Sequence, residues 1–276
     1  MYGDIQFGIV IPTYYRKDGS TWSTLTKTLT SVKQQSYENW KIILVGDDYE
    51  DKGEFKLYND IIPKEKMVAI NLDRSVERDF YYDKIEGDDG ELILEKIHDL
   101  WCVAGSTASN FGIQVLKDLG INYFCQLDHD DIWYNNHLKL NYDAYTKFGD
   151  IDFTYSKALV GTTYKFHCPP FEGEKTFYKN KVLPCPGGII HSTTTCNLNT
   201  YKLNFPEFKG AYFDVMGRKF CPKEWKQPSD HFKWTHFPDE IAKNNLNYIY
   251  INTETCHHEG ESIFKLESGE YLKNKL

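Results

Sequence analysis

No apolar run in this 276-residue chain approaches the ~20 residues that a membrane-crossing helix requires, so the sequence carries no predicted span. Positive charge is in deficit as well: 32 Lys and Arg stand against 40 Asp and Glu, a net charge of −8. A general nucleic-acid binder needs a phosphate-facing surplus of cations, and the basic residues here are not segregated along the chain. There is no Cys-x-x-Cys pair, and the seven cysteines are odd in number and irregularly spaced, which argues against a zinc finger or a disulfide framework and for free thiols in a reducing compartment. Met1 to Gln6 lacks a basic region followed by an apolar stretch. The expectation is a soluble cytoplasmic protein, peripheral to a membrane at most, although an extracellular domain cut from a longer chain would read the same. No internal repeat or low-complexity segment is visible.

What is abundant is core-forming material. Hydrophobic residues make up 41% and aromatics 16%, which excludes a disordered tail or a coiled coil. The first half alternates strand-like and helix-like segments, the pattern of an α/β fold with a mostly parallel sheet and helices on both faces. Phe7–Ile11 reads as a buried strand stopped by Pro12. A helix capped by Ser20 or Thr21 carries Leu25, Leu29 and Val32 at helical spacing and closes at Gln34-Gln35-Ser36. Ile42–Val45 is a strand ending on Gly46-Asp47-Asp48, and acids at that end of a strand are placed for ligands in an open α/β sheet. Further along, the pattern predicts a helix over Phe55–Ile62, a strand over Met67–Leu72 and an insertion at the rim from Asp73. A helix over Ser106–Leu119, a strand over Tyr123–Leu127, a helix over Asn136–Phe148 and a strand over Phe153–Ser156 follow. Prolines break the second half into short elements, including helices from about Ser229 and from Asp239 and a strand at Tyr248–Ile251. No polar linker separates the halves, so 1–276 reads as one domain.

The sharpest local feature is Leu127-Asp128-His129-Asp130-Asp131-Ile132-Trp133, three carboxylates in four residues at the end of a buried strand. Such crowding is relieved by a hard divalent cation, and Mg²⁺ or Mn²⁺ typically uses one or two carboxylates plus diphosphate oxygens. The other reading is an acidic turn capping the next helix.

Several segments in order resemble family 2 glycosyltransferases of the GT-A fold. They are Ile9-Val10-Ile11-Pro12-Thr13-Tyr14; Ser31 to Tyr37 with its Gln34-Gln35-Ser36 core; Ile42 to Asp48; Ala108-Ser109-Asn110-Phe111-Gly112-Ile113; and Leu127 to Trp133, which is similar to the family's Leu-Asp-x-Asp-Asp metal motif. The match covers roughly the first 160 residues. Later, Pro228-Ser229-Asp230-His231-Phe232-Lys233-Trp234 resembles the segment that carries the family's general base, and Tyr250 to Ser262 resembles the strand and loop that bring a late His to the site.

The resemblance implies a metal-dependent, inverting transferase moving a sugar from a nucleotide-diphosphate donor to a hydroxyl of a glycan or glycoconjugate acceptor. Residues 1–135 would form the nucleotide-sugar-binding half and 136–276 the acceptor side. Pro12, Thr13, Tyr14, Asp47, Asp48, Asn110, Asp128 and His129 would bind the donor, with Tyr14 offering its ring to the base and Asp47 accepting from a base N–H. Asp128, Asp130, Asp131 and His258 would hold Mn²⁺ or Mg²⁺, with His257 the alternative to His258, and Asp230 would be the general base. Ser109 replaces the family's Arg, Tyr49-Glu50 replaces its Gly-Ser, and Arg74 or Arg78 could supply cationic help to the diphosphate. Two rivals remain: a non-catalytic sugar-nucleotide or glycan binder, and a nucleotidyltransferase. The second would want a Gly-rich phosphate loop after the first strand, which Pro12 to Gly19 lacks.

Overall fold

In β1 (Phe7–Thr13) and β2 (Trp40–Gly46) both alternating sets of side chains are apolar, so each strand must be covered on two faces. The computed structural model supplies both covers; it describes residues 5–16, 18–49, 58–82, 105–161, 164–166, 173–182, 189–201 and 237–258. Phe7, Ile9, Ile11, Ile42 and Leu44 pack with Leu25, Leu29 and Val32 of helix α1 (Ser20–Lys33). Val10, Ile43 and Val45 pack on the other face with Ala108, Ile113 and Leu116 of a later helix, Ser106–Asp118.

The remaining elements in chain order are β3 (Met67–Asn71), α2 (Val76–Tyr82), α3 (the helix Ser106–Asp118), β4 (Tyr123–Gln126), β5 (Asp131–Trp133) and α4 (His137–Phe148). Then come β6 (Phe153–Val160), β7 (Tyr164–Phe166), β8 (Phe177–Lys179), β9 (Thr194–Asn197), α5 (Phe237–Asn244) and β10 (Tyr248–His258). The sheet runs β3-β2-β1-β4-β9-β6-β10-β5, with β7 beside β6 and β8 beside β10. From β3 to β4 it is parallel; β9 enters antiparallel to both β4 and β6, and β10 lies parallel to β6. The sheet is therefore continuous from the first half of the chain into the second.

Some boundaries differ from those expected. β1 continues through Pro12 to pair with Val45 and Gly46 of β2, because its other neighbour, β4, has stopped pairing at Val10↔Gln126 and asks no N–H of residue 12. Helix α1 is preceded by Gly19 in the left-handed region (φ 72°), and Asp18 Oδ1 accepts from the Ser20 N–H, so neither Ser20 nor Thr21 is the cap. Of the helix expected over Phe55–Ile62, residues 55–57 lie outside the described residues, and the remainder holds a short 3-10 turn at Tyr58–Asp60. The segment after Asp73, expected at the rim, forms α2 and buries Ser75 and Glu77. Strand β9 was not expected: Thr194 and Thr195 are fully buried polar residues without a strand-like apolar pattern. The helix expected from Ser229 lies outside the described residues.

Candidate active site

The acidic turn is held from below by α1. Thr28 Oγ1 donates to the carbonyls of His129 (2.9 Å) and Asp131 (2.8 Å), and Ser31 Oγ accepts from the Trp133 N–H at 3.1 Å. These hydroxyls share the helix face of Leu25, Leu29 and Val32, so one stripe both builds the core and fixes the loop. The third support is Ser192, in a 3-10 turn before β9: it accepts from the Asp128 N–H (3.0 Å), donates to Asp131 Oδ2 (2.6 Å), and its carbonyl accepts from the Trp133 indole (2.6 Å).

Each carboxylate of the motif meets a different basic group. Asp128 Oδ2 lies 3.3 Å from His191 Nδ1, Asp130 Oδ2 accepts from Arg16 Nη2 at 2.7 Å, and Asp131 Oδ1 faces His258 Nδ1 at 2.7 Å. Backbone register sets the last pair, because His258 of β10 stands directly opposite Asp131 of β5. Strand alternation sends the preceding residue the other way: His257 Nε2 meets the Gly161 carbonyl at 3.0 Å. Of the two late histidines, His258 is therefore the one at the acidic cluster.

Electrostatics follow from this pairing. Burial opposes charge on Asp130, but His129 and the Arg16 guanidinium outweigh it and hold the carboxyl well below its ordinary range. Burial also opposes charge on the His258 imidazole, yet Asp131, with Asp128 and Asp130 behind it, raises its pKa to about 9. Asp128 and Asp130 are partly exposed (side chains 23% and 22%) and engage only Oδ2, leaving Oδ1 without a protein partner among the described residues. Asp131 is fully enclosed with both oxygens occupied. Two accessible carboxylates are the hard-oxygen set that Mg²⁺ or Mn²⁺ uses together with a diphosphate. No ready-made cage of three or more His, Cys, Asp or Glu occurs among the described residues.

A second group gathers at the ends of β1 and β2. Asp47 is buried; its N–H donates to the Thr13 carbonyl (2.7 Å), its Oδ2 accepts from Ser75 (2.6 Å), and its Oδ1 is sealed from solvent with no partner among the described residues. Burial raises its pKa, with Ser75 and Arg78 working against that. Asp48 takes up the left-handed region (φ 60°), and Asn71 clamps the Tyr49 backbone from both sides, which fixes the Asp47-Asp48-Tyr49 turn. Thr13 Oγ1 bonds the Tyr49 hydroxyl at 2.7 Å. Tyr14 is half-buried, edge-on to the His129 ring (centroids 5.1 Å), with the guanidiniums of Arg16 and Arg78 at 5.6 and 4.7 Å from its ring. Pro12 faces Gly105 just before α3, where an added Cβ would lie 3.6 Å from the Pro12 Cβ, and Asn110 sits half-buried within that helix.

The structure thus brings Pro12, Thr13, Tyr14, Asp47, Asp48, Asp128, His129, Asp130, Asp131 and His258 to the carboxyl-end edge of neighbouring strands. Asp230 lies outside the described residues. Sequence reasoning gave no role to Arg16, His191 or Ser192. Arg16 follows the first strand and could have been weighed as a partner for the acidic motif; His191 and Ser192 sit in a segment with no legible motif.

A sequence profile of glycosyl transferase family 2 matches residues 8–57, which hold α1, β2 and all of β1 but its first residue. The chain is 32% identical over 267 residues, 95% of its length, to the protein named "Uncharacterized glycosyltransferase R139" of Acanthamoeba polyphaga mimivirus, of which it covers 97%. It is 23% identical to the amylovoran biosynthesis glycosyltransferase AmsB of Erwinia amylovora, over 94% of this chain and 75% of that one. In fold it resembles TarS 1–349 of S. aureus in complex with UDP (TM-score 0.56, 13% identity, 92% of this chain) and with UDP-GlcNAc (TM-score 0.57, 12% identity, 96%). The chain spans about 60% of the TarS chain it matches.

Proposed function

The chain belongs to glycosyl transferase family 2 and is a glycosyltransferase, and from that premise we propose that it transfers a sugar from a uridine diphosphate donor to a hydroxyl of a glycan or glycoconjugate, with inversion. The observation that carries this reading is the meeting, at one sheet edge, of Tyr14 and the orphaned Asp47 Oδ1 with the Asp128–Asp131 cluster. A uracil base has one ring N–H, and Asp47 Oδ1 lacks one donor. The UDP-bound TarS structures share the fold, which supports placing the nucleotide at this edge.

Asp128 and Asp130 would hold Mn²⁺ or Mg²⁺, which when bound offsets the charge of the departing diphosphate. The chain's own cations act toward the same end. Arg16, between Asp130 and Tyr14, and His258, held by Asp131 through Nδ1, bring two positive groups to the place where leaving-group charge develops. Asp230 would take the proton of the acceptor hydroxyl as its oxygen bonds to the anomeric carbon and the carbon–phosphate oxygen bond breaks, the electron pair leaving with UDP. The continuous sheet supports a single domain, with 1–135 carrying the donor and 136–276 the acceptor side.

Two variants test the division of labour. Asp130→Ala is expected to abolish metal-dependent donor binding in calorimetry. Asp230→Asn should bind donor nearly as the parent does and turn over about a hundredfold more slowly or worse, the scale of losing a general base. Unchanged turnover in Asp230→Asn would remove that residue from the mechanism. A binder without catalysis would show no metal-dependent release of donor sugar to water.

A further inference from the structure

Asp47 is not the sole buried carboxyl at the nucleotide edge. Glu77 of α2 is fully enclosed, and its Oε1 accepts both the N–H and the hydroxyl of Thr107, in the first turn of α3, at 2.8 Å each. Its Oε2, like Asp47 Oδ1, is sealed from solvent and has no partner among the described residues. One turn ties the two carboxyls to the same place: Ser75 gives its hydroxyl to Asp47 Oδ2, Glu77 follows two residues later, and the charge of Asp47 acts on Glu77. A carboxyl fixed through one oxygen while the other is buried and unsatisfied is a costly arrangement, and a ligand that paired both free oxygens would relieve the cost.

We propose that Glu77 is a second base-reading residue, a carboxylic acid that donates from Oε2 to a carbonyl oxygen of uracil while Asp47 Oδ1 accepts from the neighbouring ring N–H. This rests on the uridine diphosphate reading above. The imide edge of uracil presents acceptor, donor and acceptor in a row, and an acid beside a carboxylate presents the matching donor and acceptor. Two carboxylates would set an oxygen against a carbonyl. The surroundings favour the mixed pair: burial first, then the charge of Asp47, raise the Glu77 pKa to about 7, against the bonds from Thr107. The other charged groups acting on the pair are Asp48 at the end of β2 and Arg78 and Asp79 on α2; α3 contributes the Thr107 N–H and hydroxyl.

UDP titrations of the full chain by calorimetry, from about pH 5.5 to about pH 9, test this. Affinity of the parent should fall above pH 7 by up to about tenfold per pH unit as Glu77 ionises. Glu77→Gln keeps a donor that cannot ionise, so its affinity should lack that fall and change only with the ionisations the two proteins share. Ionisation of UDP itself and of His258 is common to both proteins, so the difference between the two profiles isolates Glu77. A parent profile that is flat above neutral pH, or one that Glu77→Gln reproduces, would overturn the proposal while leaving UDP as the donor nucleotide. Failure of the parent to bind UDP at any pH would overturn the donor reading, and this proposal with it.

Discussion

The charge on His258 depends on Asp131, and that dependence is measurable. Its folded pKa of about 9 stands above the ordinary 6.5, so the pair's contribution to stability is complete below pH 6.5 and is lost as pH rises through about 9. The melting temperature of His258→Gln should therefore lie furthest below the parent's in mildly acid buffer, and the gap should close above about pH 9. A gap that widens with pH would contradict the assignment. At this scale the sequence shows what is local. The Asp128–Asp131 motif and Asp47 at a strand end are legible because their chemistry lies in consecutive residues. Their partners are not: Arg16 is 114 positions from Asp130, Ser192 is 61 from Asp131 and His258 is 127 from it, and no periodicity reports such pairings.

At the scale of elements, the parallel strands and the helices over them follow from apolar spacing alone, because a strand covered on both faces has few alternatives. Pro12 misled the end of β1, since proline stops a ladder only on the side that needs its N–H. Strand β9 was hidden because its threonines are buried by hydrogen bonding and packing among polar neighbours: Tyr145 donates to the Thr195 carbonyl, and Cys125 Sγ lies against its hydroxyl. The approach of α3 to β1 gives the Gly112 of the Asn-x-Gly segment a physical reason. A Cβ there would fall 2.4 Å from Cγ1 of Val10, a branched side chain with little room to move. Alanine's advantage over glycine in a helix is about 1 kcal/mol, whereas overpacking a filled core typically costs about 1–3 kcal/mol. Gly112→Ala should be destabilised in urea unfolding; a variant as stable as the parent would show that α3 stands further from the sheet.

At the scale of the whole molecule, the sheet unites a parallel half that ends in the Asp47 turn with a mixed half that delivers His258 and Ser192 to the acidic cluster. No helix among the described residues is long and apolar enough to cross a membrane. The net charge of −8, which first served to exclude nucleic acid, includes carboxyls gathered at this sheet edge: Asp47 at the end of β2, and Asp128, Asp130 and Asp131 in the acidic turn. The central claim is that this edge binds a uridine diphosphate. Calorimetric titration of UDP with Mn²⁺ into the parent and into Asp47→Ala tests it most directly. The account predicts specific binding to the parent and a loss of about tenfold or more in the variant, ~1.4 kcal/mol, because the ring N–H then has no buried acceptor. Equal affinity in the two proteins, or no binding to the parent, would contradict it.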